Sequence, residues 1–266
     1  KINSGSYTAV TGVSIGSNQY TFTFGAGVST LDVVSYYIAA QDLVTPTPNV
    51  SCAPSTGATG FGVNPPAAST APTSPSTYTI MGTIAGVFHV GAAQVAPNYT
   101  TLTNAITDLN NKVMVGAVTF ILDDATYSAS ETFPITIQSN YGSNSTNTLT
   151  IKPNAGATPV ITGSVASGAL IKIKNSYTTL DGSNNGSTTR DLTISNTNTT
   201  SPQVIFSPSV GSGVLTNVTI KNTNIINGAT TSSALVFTDE AGTAGNFTHL
   251  TVQNNAIKKA YIACYM

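Results

Sequence analysis

The chain has 266 residues, 40% of them hydrophobic, and its nine Lys+Arg and ten Asp+Glu give a net charge of −1. Only 7% of residues are charged, against roughly 25% in ordinary soluble proteins, so hydroxyl and amide side chains must fill the solvated positions. So few basic residues do not form the positively charged surface that nucleic-acid binding needs. No apolar run reaches the length of a membrane span, about 20 residues. A surface of this kind favours an extracellular protein.

Three strand-like segments open the chain and predict part of a β-sandwich over residues 1–45. They read SYTAV, NQYTFTF and DVVSYYIAAQD, and in the second Tyr20, Phe22 and Phe24 recur with the period of two of a half-buried strand. The third resembles a late strand of an immunoglobulin-like or fibronectin-like domain. Because a whole sandwich needs about seven strands, we expect the remaining strands from upstream in the native polypeptide or from another molecule.

A proline-rich segment follows over residues 46–77. Proline removes a ladder donor and favours extended backbone, so the segment predicts a linker or an irregular arm, with a domain boundary near Tyr78. Seven of the 13 prolines fall here: Pro46, Pro48, Pro54, Pro65, Pro66, Pro72 and Pro75.

One amphipathic helix is predicted at about 100–111, because four apolar residues there recur at i, i+3, i+4 and i+7. A single helix ahead of many strands must cover the end or flank of the structure that they form. The apolar residues are Leu102, Ala105, Ile106 and Leu109, and the candidate N-caps are Asn98, Thr100 and Thr101.

A repeat, apolar-x-apolar-x-Asn, dominates the remainder of the chain. It occurs as IKIKN, LTISN, VTIKN and LTVQN, with LTIKP as a fifth copy that ends in proline. The intervals between the central apolar residues are 22 (173 − 151), 21 (194 − 173), 26 (220 − 194) and 32 (252 − 220). The first two intervals predict a β-helix coil of 21 to 22 residues, and the longer two add insertions at Ser209–Gly213 and Glu240–Gly245.

Stacking such coils about 4.8 Å apart predicts three columns of side chains. The alternatives to a β-helix are a chance recurrence of the motif in an asparagine-rich chain and a fold of tandem sandwich domains. The predicted interior column is Ile151, Ile173, Ile194, Ile220 and Val252. The predicted ladder of hydrogen-bonded amides is Asn175, Asn196, Asn222 and Asn254. The outward column is Lys152, Lys174 and Lys221, candidate glycan-binding residues with a merely solvated surface as the alternative.

NYTTLTNAITDLNN, followed by AVTFIL, ETFPITI, NTLTIKP and TTLDGSNNG, resembles the right-handed parallel β-helix of the pectin-lyase-like superfamily. In that family an amphipathic helix plugs the amino-terminal mouth of the coil stack. YYIAAQDL, the proline-rich arm and LDGSNNG together resemble very large secreted bacterial surface proteins. The resemblance implies an all-β protein with a right-handed parallel β-helix over 78–266, capped near 100–111, at the bacterial cell surface.

Acidic pairs are the residues on which pectin-lyase-like enzymes depend, for glycoside hydrolysis or for calcium-assisted elimination. Asp123–Asp124 and Asp239–Glu240 are neighbours in sequence, so in a strand their side chains diverge to opposite faces. Asp181 begins a turn signature, Asp-Gly. We therefore predict no catalytic residue and no cofactor, with calcium at an Asp/Asn turn as the one ion to consider.

The remaining metal-binding and redox candidates are isolated in sequence. His89 and His249 have no partner at metal-ligand spacing, which predicts no zinc site. Cys52 and Cys264 are the only cysteines, and either an intramolecular bridge or two idle thiols fits their spacing.

Two functions remain open from the sequence. The first is a structural or adhesive surface protein, a β-helix rod in a multi-domain or fibrous assembly. The second is a polysaccharide-binding or polysaccharide-cleaving β-helix. The chain begins at Lys1 without a signal peptide and stops inside the strand-like AYIACYM, so we expect neighbouring domains or self-association as partners, with surface glycans as further candidates and nucleic acid excluded.

Overall fold

The structure, a computed structural model, describes residues 1–211 and 213–266. The chain divides into an amino-terminal unit, Lys1–Gly82, and a carboxy-terminal unit, Thr83–Met266.

The amino-terminal unit is built from antiparallel strand pairs. The pairs are β1 with β2, β3 with β8, β4 with β5 and β6 with β7. The strands are β1 (Val13–Gly16), β2 (Gln19–Thr21), β3 (Val33–Tyr36), β4 (Ile38–Gln41), β5 (Val50–Ala53), β6 (Thr59–Gly62), β7 (Ala67–Thr70) and β8 (Ser76–Thr79).

The linker and the half-sandwich predicted for this region differ from the observed arrangement. Strands β5, β6 and β7 and most of β8 lie inside the segment 46–77, and β3 and β4 pair with strands from that segment. All seven prolines of the segment fall between the strands, where the missing N–H interrupts no ladder. Within this unit the described residues form two-stranded sheets, whereas a sandwich needs two larger packed sheets.

The carboxy-terminal unit is a parallel β-helix of about six turns. Its elements are β9 (Gly82–Val90), α1 (Leu102–Asn110), β10 (Lys112–Leu122), β11 (Thr126–Tyr127), β12 (Ile135–Ile137), β13 (Leu149–Pro153), β14 (Val160–Gly163), β15 (Ala169–Ile173), β16 (Thr178–Asp181) and β17 (Leu192–Asn196). They continue with β18 (Gln203–Phe206), β19 (Leu215–Thr216), β20 (Val218–Lys221), β21 (Thr223–Ile226), β22 (Ser233–Val236), β23 (Phe247–Thr248), β24 (Thr251–Gln253), β25 (Ala256–Lys258) and β26 (Ile262–Tyr265).

Three sheets run along the β-helix, and from β10 onward each coil contributes one strand to each sheet. The first sheet has the order β9-β10-β13-β16-β20-β24, the second β11-β14-β17-β21-β25 and the third β12-β15-β18-β22-β26. The pairings from β10 onward are parallel. A short fourth pair, β19 with β23, forms between the third and first sheets on two successive coils.

The coil period is about 32 residues, so the predicted period of 21 to 22 is wrong. In the second sheet Ile194 pairs with Ile225 and Ile225 with Ile257, at intervals of 31 (225 − 194) and 32 (257 − 225). Because each coil has three strands, a step of 21 or 22 residues leads from one strand to the second strand further along the chain, which belongs to a different sheet. The repeat therefore marks strands in general and not one wall of the β-helix.

The predicted interior column is consequently distributed over all three walls. Ile151, Ile220 and Val252 lie on the first sheet, while Ile194 lies on the second and Ile173 on the third. The first four isoleucines of the set are all buried in one hydrophobic core, as the alternation within each strand predicts, and Val252 is 37% exposed. On the first sheet the residues between Ile151 and Val252 in register are Leu180 and Ile220.

The two predicted insertions lie next to each other on successive coils. Ser209 bridges Asp239 in parallel, and each insertion is followed by one strand of the β19–β23 pair. Ser212, inside the first insertion, lies outside the described residues.

Helix α1 caps the core, and its four predicted apolar residues are all buried. Thr101 is the N-cap, its Oγ1 accepting from the amide of Asn104 at 3.0 Å. Glu131, from the loop between β11 and β12, supplies a second cap: its Oε1 accepts from the amide of Leu102 at 2.8 Å, and its Oε2 from that of Thr103 at 2.6 Å. The helix therefore has a carboxylate at its positive end.

Candidate functional site

A groove lies on the outer face of the third sheet. Strand register places Lys172, Phe206, Val236 and Tyr265 in one outward column, each on the next coil. At about 4.8 Å per coil, this column is about 14 Å long. The groove encloses about 470 Å³, within the size range of small-molecule sites.

Residues on either side of this column form the walls of the groove. Ser167 and Gly168, with Gln203 at the start of β18, contribute on one side. The loop after β22 contributes Thr238, Glu240, Ala241 and Gly242. Asp239 fixes that loop: its Oδ1 accepts from the amide of Thr243 at 2.7 Å, and its Oδ2 from the hydroxyl of Thr243 at 2.6 Å. These hydrogen bonds hold the pKa of Asp239 below its ordinary value.

The charges around the groove are unevenly compensated. Lys174 donates to the carboxylate of Glu240 on the loop. Lys172, on the floor, forms no ion pair with any described residue. Tyr265, at the other end of the column, is 45% exposed. The groove thus combines an aromatic and aliphatic floor, amide and hydroxyl walls and a lysine, Lys172, that has no ion-pair partner among the residues that the structure describes.

The predicted lysine column does not exist as a column. Lys152 and Lys221 lie on the first sheet, whereas Lys174 follows the third-sheet strand β15. Asp181 pairs in register with Lys221, and its Oδ2 lies 3.1 Å from the Lys221 ammonium. The prediction fails because it rested on the wrong coil period.

The predicted asparagine ladder is likewise divided among three turns. Asn175 follows the third sheet and Asn196 ends a second-sheet strand, while Asn222 and Asn254 both follow first-sheet strands. Only Asn222 and Asn254 stack, the Nδ2 of Asn254 donating to the Oδ1 of Asn222 at 2.8 Å.

Each of the other two asparagines holds backbone at its own turn. Asn196 is fully buried, and its Nδ2 donates to the carbonyls of Gln203 at 2.7 Å and Val165 at 3.0 Å. Asn175 is buried, and its Oδ1 accepts from the amide of Asn140 at 2.9 Å. Buried amides that bond freed backbone groups satisfy the chain where it leaves a sheet.

Two columns were missed by the sequence reasoning. Ile226 pairs in register with Ser195 of the preceding coil. Asn227 follows Ile226 and Asn196 follows Ser195, so the two asparagines occupy the same turn position one coil apart, at an interval of 31 residues (227 − 196). The first sheet carries an outward threonine column. A search at the 31- to 32-residue period would have indicated the asparagine column. The threonines are Thr119, Thr150, Thr179, Thr219 and Thr251.

The acidic pair at 123–124 has local partners. The carboxylate of Asp123 lies 3.0 Å from Nδ1 of His89 and accepts from Nε2 of Gln94 at 2.8 Å. Asp124 accepts from the amide of Ala92 at 2.7 Å. Both carboxylates therefore tie the turn after β9 to the end of β10.

The described residues contain no cluster of three or more His, Cys, Asp or Glu side chains placed to bind a metal ion. At the predicted turn, Oδ1 of Asp181 accepts from Nδ2 of Asn222 at 2.7 Å, and nearby Oδ2 of Asp191 accepts from the amide of Asn184 at 2.9 Å. Cys52 and Cys264 are free thiols, and partial burial raises the pKa of Cys264.

Searches of protein-family models, of curated proteins and of solved structures each found no match to this chain. The fold itself defines the class: the carboxy-terminal unit is a parallel β-helix. In the part of the chain that the structure describes, no helix is both long and apolar enough to cross a bilayer.

Proposed function

We propose that this chain is part of an extracellular structural or adhesive surface protein in which the β-helix serves as a rod. The observation that carries the proposal is the continuity of all three sheets from coil to coil around a single hydrophobic core. Each coil contacts its neighbours through backbone ladders and stacked interior residues, the design of a stiff solenoid.

The character of the surface supports the same proposal. The outward threonine column of the first sheet is uncharged, and only 7% of all residues are charged. Low net charge offers little repulsion against neighbouring copies or other surface components. Because segments of the sequence resemble those of large secreted bacterial surface proteins, we propose that the parent protein lies at the bacterial cell surface.

Immunogold electron microscopy of the native cells tests this proposal. Antibodies raised against Thr83–Met266 are expected to label extended structures outside the cell, with pre-immune serum as the control. Gold confined to the cell interior, or found only on globular secreted particles, would contradict the proposal.

The groove on the third sheet favours a second candidate function, polysaccharide binding. Phe206 and Tyr265 contribute aromatic side chains to its lining, and Lys172 contributes an ammonium group that forms no ion pair with any described residue, a combination suited to a carboxylated sugar chain. Affinity electrophoresis in gels containing polygalacturonate is the test. Lys172→Gln should abolish any retardation, whereas Lys152→Gln, an exposed lysine on the first sheet, should preserve it. Unretarded wild-type protein at low salt rejects this candidate, and release of reducing ends would add cleavage to it.

A further inference from the structure

A second pocket lies on the opposite side of the capping helix from the core. It is an open depression bounded by β9, by the turn ending at Tyr99 and by the outward face of α1, with a volume of about 520 Å³. The lining residues that carry chemistry are Phe88, Tyr99, Asn104, Asp108, Asn111 and Lys112. None of these residues lines the groove on the third sheet.

The aromatic part of the pocket is rigidly supported. The rings of Phe88 and Tyr99 have centroids 5.6 Å apart, and both rings pack against Phe120, at 6.1 and 5.7 Å. Phe120 is fully buried in the core of the β-helix. The two partly exposed rings are therefore fixed from behind by the core and present an apolar surface to the pocket.

Asp108 is held in a single orientation by two donors. Its Oδ2 accepts from the hydroxyl of Tyr99 at 2.5 Å and from the ammonium of Lys112 at 2.8 Å. Burial, followed by the hydrogen bond to Asp108, raises the pKa of Tyr99, so the phenol keeps the proton that it donates. The other carboxylate oxygen, Oδ1, has no hydrogen-bond partner among the described residues and remains an available acceptor.

Two asparagines, Asn104 in α1 and Asn111 at its C-cap, add further acceptors to the lining. Asn111 donates through Nδ2 to the carbonyl of Thr107 at 2.9 Å, and Asn104 donates through Nδ2 to the hydroxyl of Thr100 at 3.2 Å. In the described structure neither side-chain oxygen accepts a hydrogen bond. The hydrogen bond donated by each Nδ2 therefore orients the amide group, and each Oδ1 remains available to accept a hydrogen bond from a ligand.

We infer that this pocket binds a neutral saccharide unit. A sugar ring has an apolar face that stacks on aromatic side chains and a rim of hydroxyl groups that donate to carboxylate and amide oxygens. The charges of Asp108 and Lys112 cancel within their ion pair, so the lining offers no net attraction to a uronate carboxylate. This chemistry differs from that of the groove, where Lys172 forms no ion pair with any described residue, and the inference is independent of the proposed role as a rod.

Saturation-transfer NMR with the methyl β-glycosides of glucose, galactose and N-acetylglucosamine tests the inference. At least one glycoside should receive saturation from the intact chain, and its ring protons should receive the most. Asp108→Asn should weaken its binding by about tenfold or more, because the amide oxygen keeps the Tyr99 and Lys112 donors and an NH₂ donor replaces the free acceptor Oδ1. Asn111→Ala should have an effect of similar size, because it removes the acceptor outright. Asn111 is exposed, so its variant tests the site without disturbing the core.

Tyr141→Ala is the matched control, since Tyr141 is 94% exposed and lies outside the pocket; its affinity should equal that of the wild type. The inference is overturned if no glycoside binds, or if folded Asp108→Asn and Asn111→Ala proteins both bind like the wild type. A preference for glucuronate over the neutral glycosides would also overturn it.

Discussion

Asn254 and Asn222 stack on successive coils, with the Nδ2 of Asn254 donating to the side-chain oxygen of Asn222 at 2.8 Å. Asn222 in turn donates to Oδ1 of Asp181 at 2.7 Å, and Arg190 donates to the Oδ1 of Asn254 at 2.6 Å. Both asparagines have left-handed backbone conformation, with a φ of 58° at Asn222 and 51° at Asn254. One chain of polar contacts therefore connects three coils at the turn where the backbone leaves the first sheet.

We expect Asn222→Ala to destabilise the β-helix more than Asn222→Gly. Both variants lose the hydrogen bonds of a side chain that is only 4% exposed, which costs about 1–3 kcal/mol. Alanine also pays about 1–2 kcal/mol for a left-handed φ, whereas glycine does not. Urea unfolding measures the difference, and equal losses in the two variants would show that the backbone conformation contributes nothing.

The interior assignment predicts opposite outcomes for two adjacent residues of β20. Ile220→Asp places an unpaired carboxylate at a fully buried position, at a cost of several kcal/mol against a total stability of about 5–15 kcal/mol. Thr219→Asp, on the outward face, should cost about 1 kcal/mol or less. Thermal melting followed by circular dichroism compares them. If the two variants melt at the same temperature, the inward and outward faces have been assigned incorrectly.

The alternation of buried and exposed residues could be predicted from sequence because it is a local property of each strand. Ile194 and Ile220 are buried as expected, since every second side chain in a strand faces the core. The coil period could not be found from the same motif. Three walls use the same apolar-x-apolar pattern, so a spacing between Ile173 and Ile194 does not reveal how many corners separate them.

The candidate site could not be predicted for the same reason. Lys172 and Tyr265 lie 93 residues apart (265 − 172) and meet in one column only when three complete coils are stacked in register. Helix α1 was predictable because its apolar stripe is continuous in sequence. Its second cap, Glu131, could not be predicted, because this carboxylate comes from the loop between β11 and β12, two strands after the helix in sequence.

Removing the charge of Glu131 should destabilise the cap of the β-helix. Glu131→Gln keeps the shape but loses the charge that faces two amides at the helix start, and we expect a loss of about 1–2 kcal/mol. Glu240→Gln is the matched control, because its ion pair with Lys174 lies on the surface and is worth about 0–1 kcal/mol. Differential scanning calorimetry reads both. A larger effect at Glu240 would contradict the capping role.

The final prediction concerns Tyr127, whose side chain is 2% exposed. Burial raises its pKa well above the ordinary value of 10.0, and its hydroxyl donates to the carbonyl of Val90 at 2.5 Å. Below pH 10 the phenol is protonated in both the folded and unfolded states, so it adds no pH dependence. Above pH 10 the unfolded state loses this proton and the folded state keeps it, so stability falls as pH rises, by about 1.4 kcal/mol per pH unit. The same hydroxyl accepts from the amide of Asp124 at 3.1 Å, so Tyr127→Phe loses two hydrogen bonds and should lose about 1–3 kcal/mol at neutral pH, yet show a shallower decline between pH 10 and 11.5. Tyr141→Phe, at a 94% exposed position, should keep the wild-type slope. Urea unfolding across this pH range measures all three proteins, and identical slopes for wild type and Tyr127→Phe would refute the assignment.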